Sequence, residues 1–163
     1  VVGMDCGADA YIEKPFSVQY LEACINNLVS LRAMLRNKYS TSPLMPLTSV
    51  ANNNTDTNFL KNMTDIIEAH FSDSNLSVDF LTEQMGISRS SLYNKIKVLT
   101  DKTPNELIQL MRLKKAAQLL REHKYRINEI CYMVGFNNPS YFSKCFYKQF
   151  GMKPGEFAAQ SGE

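Results

Sequence analysis

The sequence predicts an all-α fold in which two similar helical subdomains are joined by a long connecting helix. A pattern of helix, Gly-apolar-polar turn and second helix occurs around Gly86 and again around Gly135. Each copy is followed by a helix that starts with a proline, at Pro104 and at Pro154. From residue 58 onward, apolar residues recur at helical spacing. Each copy therefore has the pattern of a helix-turn-helix, whose second helix can enter the major groove of DNA.

The helices of the first copy are predicted from an apolar stripe and from caps. The first amphipathic helix is indicated by residues at helical spacing: Phe59, Met63, Ile66, Ile67 and Phe71. Ser77 can cap the second helix and Ser88 the third, because a serine hydroxyl accepts hydrogen bonds from the unpaired N–H groups at a helix start.

The connecting helix has a well-marked start. Thr103 is an N-cap, Pro104 takes the first helical position, and Glu106 completes a capping box. The helix runs to about Glu122, so it is roughly 27 Å long at 1.5 Å per residue. That length could hold two recognition helices close to one DNA turn, ~34 Å, apart.

Three further helices are predicted in the second copy. The fifth helix of this part is marked by Ile127, Ile130 and Val134. Asn138 and Pro139 begin the sixth helix and Gly151 ends it. A last short helix begins near Pro154, so about seven helices are expected in all.

Charge is unevenly distributed along the chain. Residues 86–153 contain thirteen Lys and Arg against four Asp and Glu, a net charge of +9, whereas residues 58–85 contain one Lys against five acids, a net charge of −4. A basic segment that coincides with two helix-turn-helix patterns indicates binding to a polyanion such as DNA. The alternative is that these charges only solvate a helical surface.

The rest of the chain divides into two parts. Residues 1–36 have the pattern of a short strand followed by a helix. Residues 37–57 are rich in Ser, Thr, Asn and Pro and show no apolar period, so they predict a flexible linker. Residues 58–163 then form the DNA-binding domain.

Enzymatic, metal-binding and membrane-spanning functions find no support in the sequence. No apolar run approaches the ~20 residues of a membrane span, and no signal-peptide pattern opens the chain. We therefore expect a cytoplasmic location, although a parent protein could be anchored elsewhere in its chain. The four cysteines show no metal-binding spacing: Cys6, Cys24, Cys131 and Cys145. No acid–base pair or nucleophile set is recognisable, so neither an enzyme nor a cofactor is expected.

The connecting helix and the second copy together carry a family signature. Its residues are Arg112-Leu113, Ala116-Ala117, Gly135-Phe136, Tyr141-Phe142, Phe146, Phe150-Gly151, Pro154 and Phe157. With the double helix-turn-helix, this ordered set over residues 58–160 resembles the DNA-binding domain of the AraC/XylS family. The resemblance implies seven helices with the fourth bridging two subdomains, double-stranded DNA as the ligand, and RNA polymerase as a partner.

The resemblance also implies which residues face DNA. On the first recognition helix they are Arg89, Ser90, Tyr93, Asn94 and Lys97. On the second they are Asn138, Ser140, Ser143, Lys144 and Lys148. Asn94 could form two hydrogen bonds with adenine, Lys144 is the best candidate for a guanine edge, and Lys148 suits a phosphate. Asn138 is equally well explained as a helix cap. Because the second helix has few base-reading side chains, we expect the first helix to lead sequence recognition.

A second resemblance lies at the N-terminus. The run from Gly7 to Phe16 resembles the end of a response-regulator receiver domain. The resemblance implies that Lys14 senses an acyl phosphate, that Tyr11 is the aromatic switch residue, and that the peptide bond before Pro15 is cis. The phosphorylatable aspartate of a receiver lies upstream of this segment. We therefore interpret the chain as the C-terminal fragment of a longer, hybrid two-component regulator.

The helix after this segment has an apolar stripe that a whole receiver would cover with its sheet. The stripe consists of Leu21, Ile25, Leu28 and Leu35. An exposed apolar stripe is an association site, so we expect it to be covered either by the chain's own DNA-binding domain or by the same segment of a second copy, and we favour the second copy because a symmetric pairing covers both stripes at once.

Two other functions were considered beside sequence-specific DNA binding. A helical protein-interaction module would have uniform charge and an exposed apolar groove. The DNA-binding end of a recombinase would accompany a carboxylate or serine nucleophile set, and none stands out. The basic segment and the two capped recognition helices favour transcription regulation over both.

Overall fold

The computed structural model describes residues 10–73 and 75–162, and every regular element in these ranges is helical. The α-helices are α1 (Val18–Thr41), α2 (Asn54–Ala69), α3 (Val78–Met85), α4 (Arg89–Thr100), α5 (Pro104–Glu122), α6 (Ile127–Met133), α7 (Pro139–Phe150) and α8 (Pro154–Gln160). A short 3-10 helix, Leu47–Val50, lies between α1 and α2. The all-α prediction is confirmed for the described residues, and α2–α8 are the seven helices expected in the double helix-turn-helix.

The predicted N-terminal strand is not found. Residues 10–17 have no regular structure before α1 begins at Val18. A strand is held by hydrogen bonds to a neighbouring strand, and the described residues supply no such neighbour. The prediction of a strand-helix unit is therefore wrong for its strand and right for its helix. Gly7 and the rest of the receiver-like run before Ala10 lie outside the described residues.

The predicted caps lie at the starts of four helices. The Ser77 and Ser88 hydroxyls each accept a backbone N–H bond from three residues further on, both at 3.2 Å. The Thr103 N–H donates to the Glu106 carboxylate at 2.8 Å, which closes the capping box of α5. The Asn138 side-chain oxygen accepts at 3.0 Å at the start of α7. These bonds satisfy donors that a helix start would otherwise leave unpaired.

Two hydrophobic cores share the connecting helix α5. The first core is built by α2, α3, α4 and the part of α5 that ends at Met111. The second is built by α6, α7, α8 and the part of α5 that begins at Leu113. Phe150 packs against both cores. Arg112 lies between the two sets of α5 residues, and so marks the junction of the two subdomains.

The segment predicted as a flexible linker is packed against the first core. Leu47 and Val50 are 5% and 4% exposed, and they join that core together with Tyr39 near the end of α1. The structure therefore differs from the open linker that residues 37–57 predict. The reason is that Tyr39 lies near a helix end, and Leu47 and Val50 lie on a single 3-10 turn, which is too short to show an apolar period. The domain boundaries themselves stay a prediction.

Residues 42–51 of this segment, which we call the strap, are bound by Lys114 of α5. The Lys114 ammonium donates to the carbonyl oxygens of Ser42 at 2.6 Å and Met45 at 3.0 Å. It also lies 3.9 Å from the centre of the Tyr39 ring. Burial lowers the pKa of Lys114 to about 8, because a partly dehydrated ammonium is harder to keep charged.

The C-terminal end of α1 touches both recognition helices. The Arg36 guanidinium donates to the carbonyl oxygen of Val98 in α4. The Gln149 amide of α7 donates to the carbonyl oxygen of Ser40 at 2.5 Å. Towards its start α1 is open to solvent, since Ile25 and Val29 are 49% and 61% exposed. Of the predicted stripe, Leu21, Leu28 and Leu35 are half-buried and Ile25 is exposed, so the described residues cover much of the stripe without a second copy.

The two subdomains approach each other most closely at Gly135. Its φ is +87°, and a Cβ placed on it would lie 2.1 Å from the Phe71 carbonyl oxygen and 2.9 Å from the guanidinium carbon of Arg112. Gly86 holds the same place in the first helix-turn-helix, with a φ of +64°, but a Cβ there would meet nothing within 4 Å. Gly86 is therefore needed for its backbone conformation, whereas Gly135 is needed also for the absence of a side chain.

This difference predicts unequal effects of the two alanine substitutions. Gly86→Ala should lower the free energy of unfolding by about 1–2 kcal/mol, the cost of a left-handed conformation in an L-residue. Gly135→Ala should lower it by about 1–3 kcal/mol more, because the added methyl group meets a backbone carbonyl in a packed region. Urea denaturation of both variants beside the parent chain measures the difference. Equal losses in the two variants would contradict the close approach at Gly135.

Candidate nucleic-acid interface

The first helix-turn-helix consists of α3, a left-handed turn at Gly86, and α4. The inward face of α4 is buried and consists of Leu92, Ile96 and Leu99. The five predicted DNA-facing residues lie off this face: Arg89, Ser90, Asn94 and Lys97 are exposed, and Tyr93 is half-buried. One side of α4 is thus fixed by the core, which leaves the polar side free to enter a groove.

Arg89 is held by two neighbours on the protein surface. Its guanidinium donates to the Asp79 carboxylate of α3 at 2.7 Å. It also lies 5.7 Å from the centre of the Tyr93 ring. Tyr93 first and Asp79 second raise the pKa of Arg89, so the group stays charged. Exposed ion pairs of this kind contribute little to stability, so a DNA phosphate could replace Asp79 as the partner.

Lys97 also has an acidic partner, whereas Asn94 is free. The Lys97 ammonium lies 2.9 Å from the Asp101 carboxylate and holds the pKa of that carboxyl below its usual range. Asn94, which is exposed one helical turn earlier, forms no side-chain hydrogen bond with another described residue. Its amide can therefore offer both a donor and an acceptor to a base edge.

The second recognition helix, α7, is anchored by aromatic residues. Phe142 and Phe146 are fully buried, with ring centres 5.9 Å apart. The predicted DNA-facing residues take the other side: Asn138, Ser140, Lys144 and Lys148 are exposed, and Ser143 is half-buried. The side-chain oxygen of Asn138 is occupied by the helix cap, which favours the structural interpretation of that residue.

A basic cleft separates α5 from α7. It has a volume of about 470 Å³ and is lined by Lys102, Lys144 and Lys148, with Glu106 as its acidic residue. Glu106 is engaged by the Thr103 backbone N–H, which holds the pKa of the Glu106 carboxyl below its usual range. Three ammonium groups thus face one carboxylate that already has a partner. The cleft can accept an anionic backbone that passes between the recognition helices.

Sequence reasoning missed Lys102 in this cleft. Lys102 lies in the turn between α4 and α5, outside both recognition helices, so no motif position points to it. The one sequence feature that pointed to Lys102 was its place in the basic segment, residues 86–153.

The receiver-like residues lie in the irregular segment before α1. Tyr11 is 66% exposed and Lys14 is exposed as well. The Lys14–Pro15 peptide bond is cis, as the resemblance implied. The switch roles of Tyr11 and Lys14 stay predictions, because the described residues contain no sheet against which they would act.

Residues 10–73 and 75–162 contain no group of three or more His, Cys, Asp or Glu side chains that is placed to hold a metal ion. Within the part of the chain that the structure describes, no helix is long and apolar enough to cross a membrane.

Comparison with protein families gives one match. Residues 81–160 match a family model described as a helix-turn-helix domain. The match begins in α3 and ends with α8, so it contains both recognition helices and the connecting helix between them.

One curated relative matches almost the whole chain. It is the protein named histidine kinase P4 of Formosa agariphila, which is 39% identical over 161 residues. The match includes 99% of this chain but only 12% of the relative. The chain thus corresponds to a small part of that protein.

Solved structures share the fold of the double helix-turn-helix. A transcriptional regulator of Chromobacterium violaceum, described as containing an AraC-type DNA-binding domain, has a TM-score of 0.63 at 27% identity, and the match covers 68% of this chain and 98% of that one. The C-terminal domain of AraT, a response regulator of Geobacillus stearothermophilus, has a TM-score of 0.54 at 28% identity, with 73% and 88% covered.

Proposed function

We propose that this chain binds double-stranded DNA sequence-specifically to regulate transcription, with residues 81–160 acting as an AraC-type helix-turn-helix domain. The observation that carries the proposal is the pair of recognition helices, α4 and α7, each with a buried apolar side and an exposed polar side. The basic cleft between α5 and α7 adds the charge that a DNA backbone requires. RNA polymerase is a proposed partner by family resemblance.

The two recognition helices have different roles in this proposal. The first, α4, reads bases: Asn94 binds adenine, Tyr93 packs on a thymine methyl, and Arg89 or Lys97 exchanges its carboxylate partner for phosphate or guanine. The second, α7, mainly anchors: Lys144 approaches a guanine edge and Lys148 binds phosphate, with Ser140 and Ser143 beside them. Lys102 joins Lys148 on the DNA backbone. Ser90 of α4 supports the phosphate contacts.

We further propose that this domain is the output of a two-component regulator. The extent of the histidine kinase match supports this, because it includes the N-terminal segment as well as the helix-turn-helix. The similar AraT domain also comes from a response regulator. In this proposal residues 1–36 end a receiver, with Tyr11 and Lys14 as its switch residues, and residues 58–163 bind DNA. The rest of the parent regulator would be a partner of this chain.

Pairing of two copies is proposed through α1. Val18, Ile25 and Val29 are all at least 49% exposed, so the start of α1 carries an apolar surface that a second copy can cover. A symmetric contact would bury this apolar surface on both chains at once.

A helical protein-interaction module without DNA binding is the second candidate. The exposed part of α1 is the observation that favours it. Against it stands the basic cleft, whose three lysines would remain unpaired in an apolar docking surface.

Two substitutions distinguish base reading from backbone anchoring. Asn94→Ala should lose about 1–3 kcal/mol of binding free energy at one base-pair position and relax the preference there, because the bidentate contact is gone. Lys148→Ala should weaken specific and random duplexes alike and lower the salt slope by about one unit, because one phosphate contact is gone. Electrophoretic shifts with a duplex selected from a random library measure both. If Asn94→Ala weakens selected and random DNA equally, Asn94 does not read bases.

The α1 contact predicts a concentration-dependent dimer. Sedimentation of this chain should show association at micromolar concentrations, whereas a chain that starts at Arg36, which keeps Tyr39 and the strap but lacks the exposed start of α1, should stay monomeric. Ile25→Glu combined with Val29→Glu should abolish association in the longer chain, because each copy would bury two charges. A monomer at high micromolar concentration would refute the α1 pairing and leave the DNA-binding proposal untouched.

A further inference from the structure

A cavity lies beneath the strap, and we call it the strap cavity. Its volume is about 440 Å³, and its walls are formed by the strap, by α2 with Phe71 after it, and by the second half of α5. A space of this size is typical of small-molecule sites. None of its described lining residues belongs to α4 or α7. A ligand in the strap cavity would therefore leave the proposed DNA-facing surface free.

Two hydroxyl groups at the strap cavity lack a hydrogen-bond partner. The Tyr39 and Thr64 hydroxyl oxygens are both buried and unpaired among the described residues, and both residues line the cavity. Tyr39 as a whole is only 1% exposed. Buried polar groups are normally hydrogen-bonded, so an unpaired one points to a bound molecule. Each hydroxyl can donate to or accept from a polar group of that molecule.

The charges around the strap cavity favour an anion. Lys114 holds the strap carbonyls, and Lys115 and Arg121 of the same helix line the cavity beyond it. Neither Lys115 nor Arg121 forms an ion pair with a described carboxylate. Lys115 donates to the neutral Gln118 side chain at 3.2 Å. Glu68 is the one acidic residue among the described lining residues. The excess of cations leaves positive charge that an anionic group can neutralise.

The remaining walls of the strap cavity are apolar. Leu47, Phe71 and Met111 are buried and line it. An apolar wall beside cations that have no described carboxylate partner suits a ligand with an apolar body and an acidic head. We propose that the strap cavity binds a small amphipathic carboxylate, whose acid group lies towards Lys115 and Arg121 and whose body packs on Phe71 and Met111.

Methionine methyl groups provide a local probe of this site. Met45 and Met111 line the strap cavity, whereas Met133 and Met152 do not and serve as internal references. The whole chain, labelled at the methionine methyls, would be titrated with octanoate and, separately, with 1-octanol, which has the same chain length without the charge. We expect saturable shifts at Met45 and Met111, with octanoate binding about tenfold more tightly than octanol, equivalent to ~1.4 kcal/mol.

Charge variants complete the test. The double variant Lys115→Ala/Arg121→Ala should lower the affinity for octanoate about tenfold and leave the affinity for octanol unchanged. The matched control Lys61→Ala/Lys124→Ala changes exposed lysines outside the cavity, so it should bind octanoate like the parent chain. Shifts that do not saturate would show that the strap cavity binds neither ligand. Equal affinities for octanoate and octanol would show that the cations do not select an acidic head, and either result would overturn the proposal. Unchanged octanoate affinity in the cavity double variant would also overturn the proposal. Because no DNA is present, this outcome is independent of the proposed DNA binding.

Discussion

The relative placement of α4 and α7 depends on the close approach of two backbones at Gly135. The Phe71 carbonyl, from the first subdomain, occupies the place where a side chain of residue 135 would begin. Arg112, from the connecting helix, packs against the same glycine, and the two hydrophobic cores meet at Arg112. Burial lowers the pKa of the Arg112 guanidinium, which agrees with its place in the junction. The two helix-turn-helix units are thus joined at Gly135 as well as by the covalent chain of α5, by Phe150, and by the end of α1.

The positive charges on α4 and those in the basic cleft have different partners in the free protein. Arg89 and Lys97 of α4 are each paired with an exposed carboxylate, so both side chains are already positioned at the surface of the free protein. The lysines of the basic cleft, by contrast, face one carboxylate that a helix cap has already engaged. In the proposed DNA complex, the weak surface pairs on α4 would be exchanged for phosphate contacts, and the lysines of the cleft would gain phosphate partners. This division fits base reading by α4 and anchoring by α7.

The sequence predicted those parts of the fold that follow a local rule. Ser77, Ser88 and Thr103 cap helices where the pattern placed them, because capping depends on residues within one turn. The prediction of a strand before α1 was wrong for the described residues, because a strand depends on a partner elsewhere in the chain. The packed strap was missed for a related reason, since Leu47 and Val50 are buried by tertiary contacts alone. In the candidate interface, the recognition residues were named from the family resemblance, and eight of the ten are exposed. The Asp79 and Asp101 partners and the place of Lys102 required the three-dimensional structure.

The central claim is that the two recognition helices are held at one fixed spacing, and the spacing of their sites on DNA tests it most directly. The measurement is the affinity for a selected two-site duplex and for versions with about half a turn or one full turn, ~5 or ~10 base pairs, inserted between the sites. A rigid junction predicts that both insertions lower the affinity to that of a single-site duplex, because α5 spans only roughly 28 Å. Recovery of full affinity with the full-turn insertion, or no loss with either, would show that the two subdomains move independently and would contradict the account.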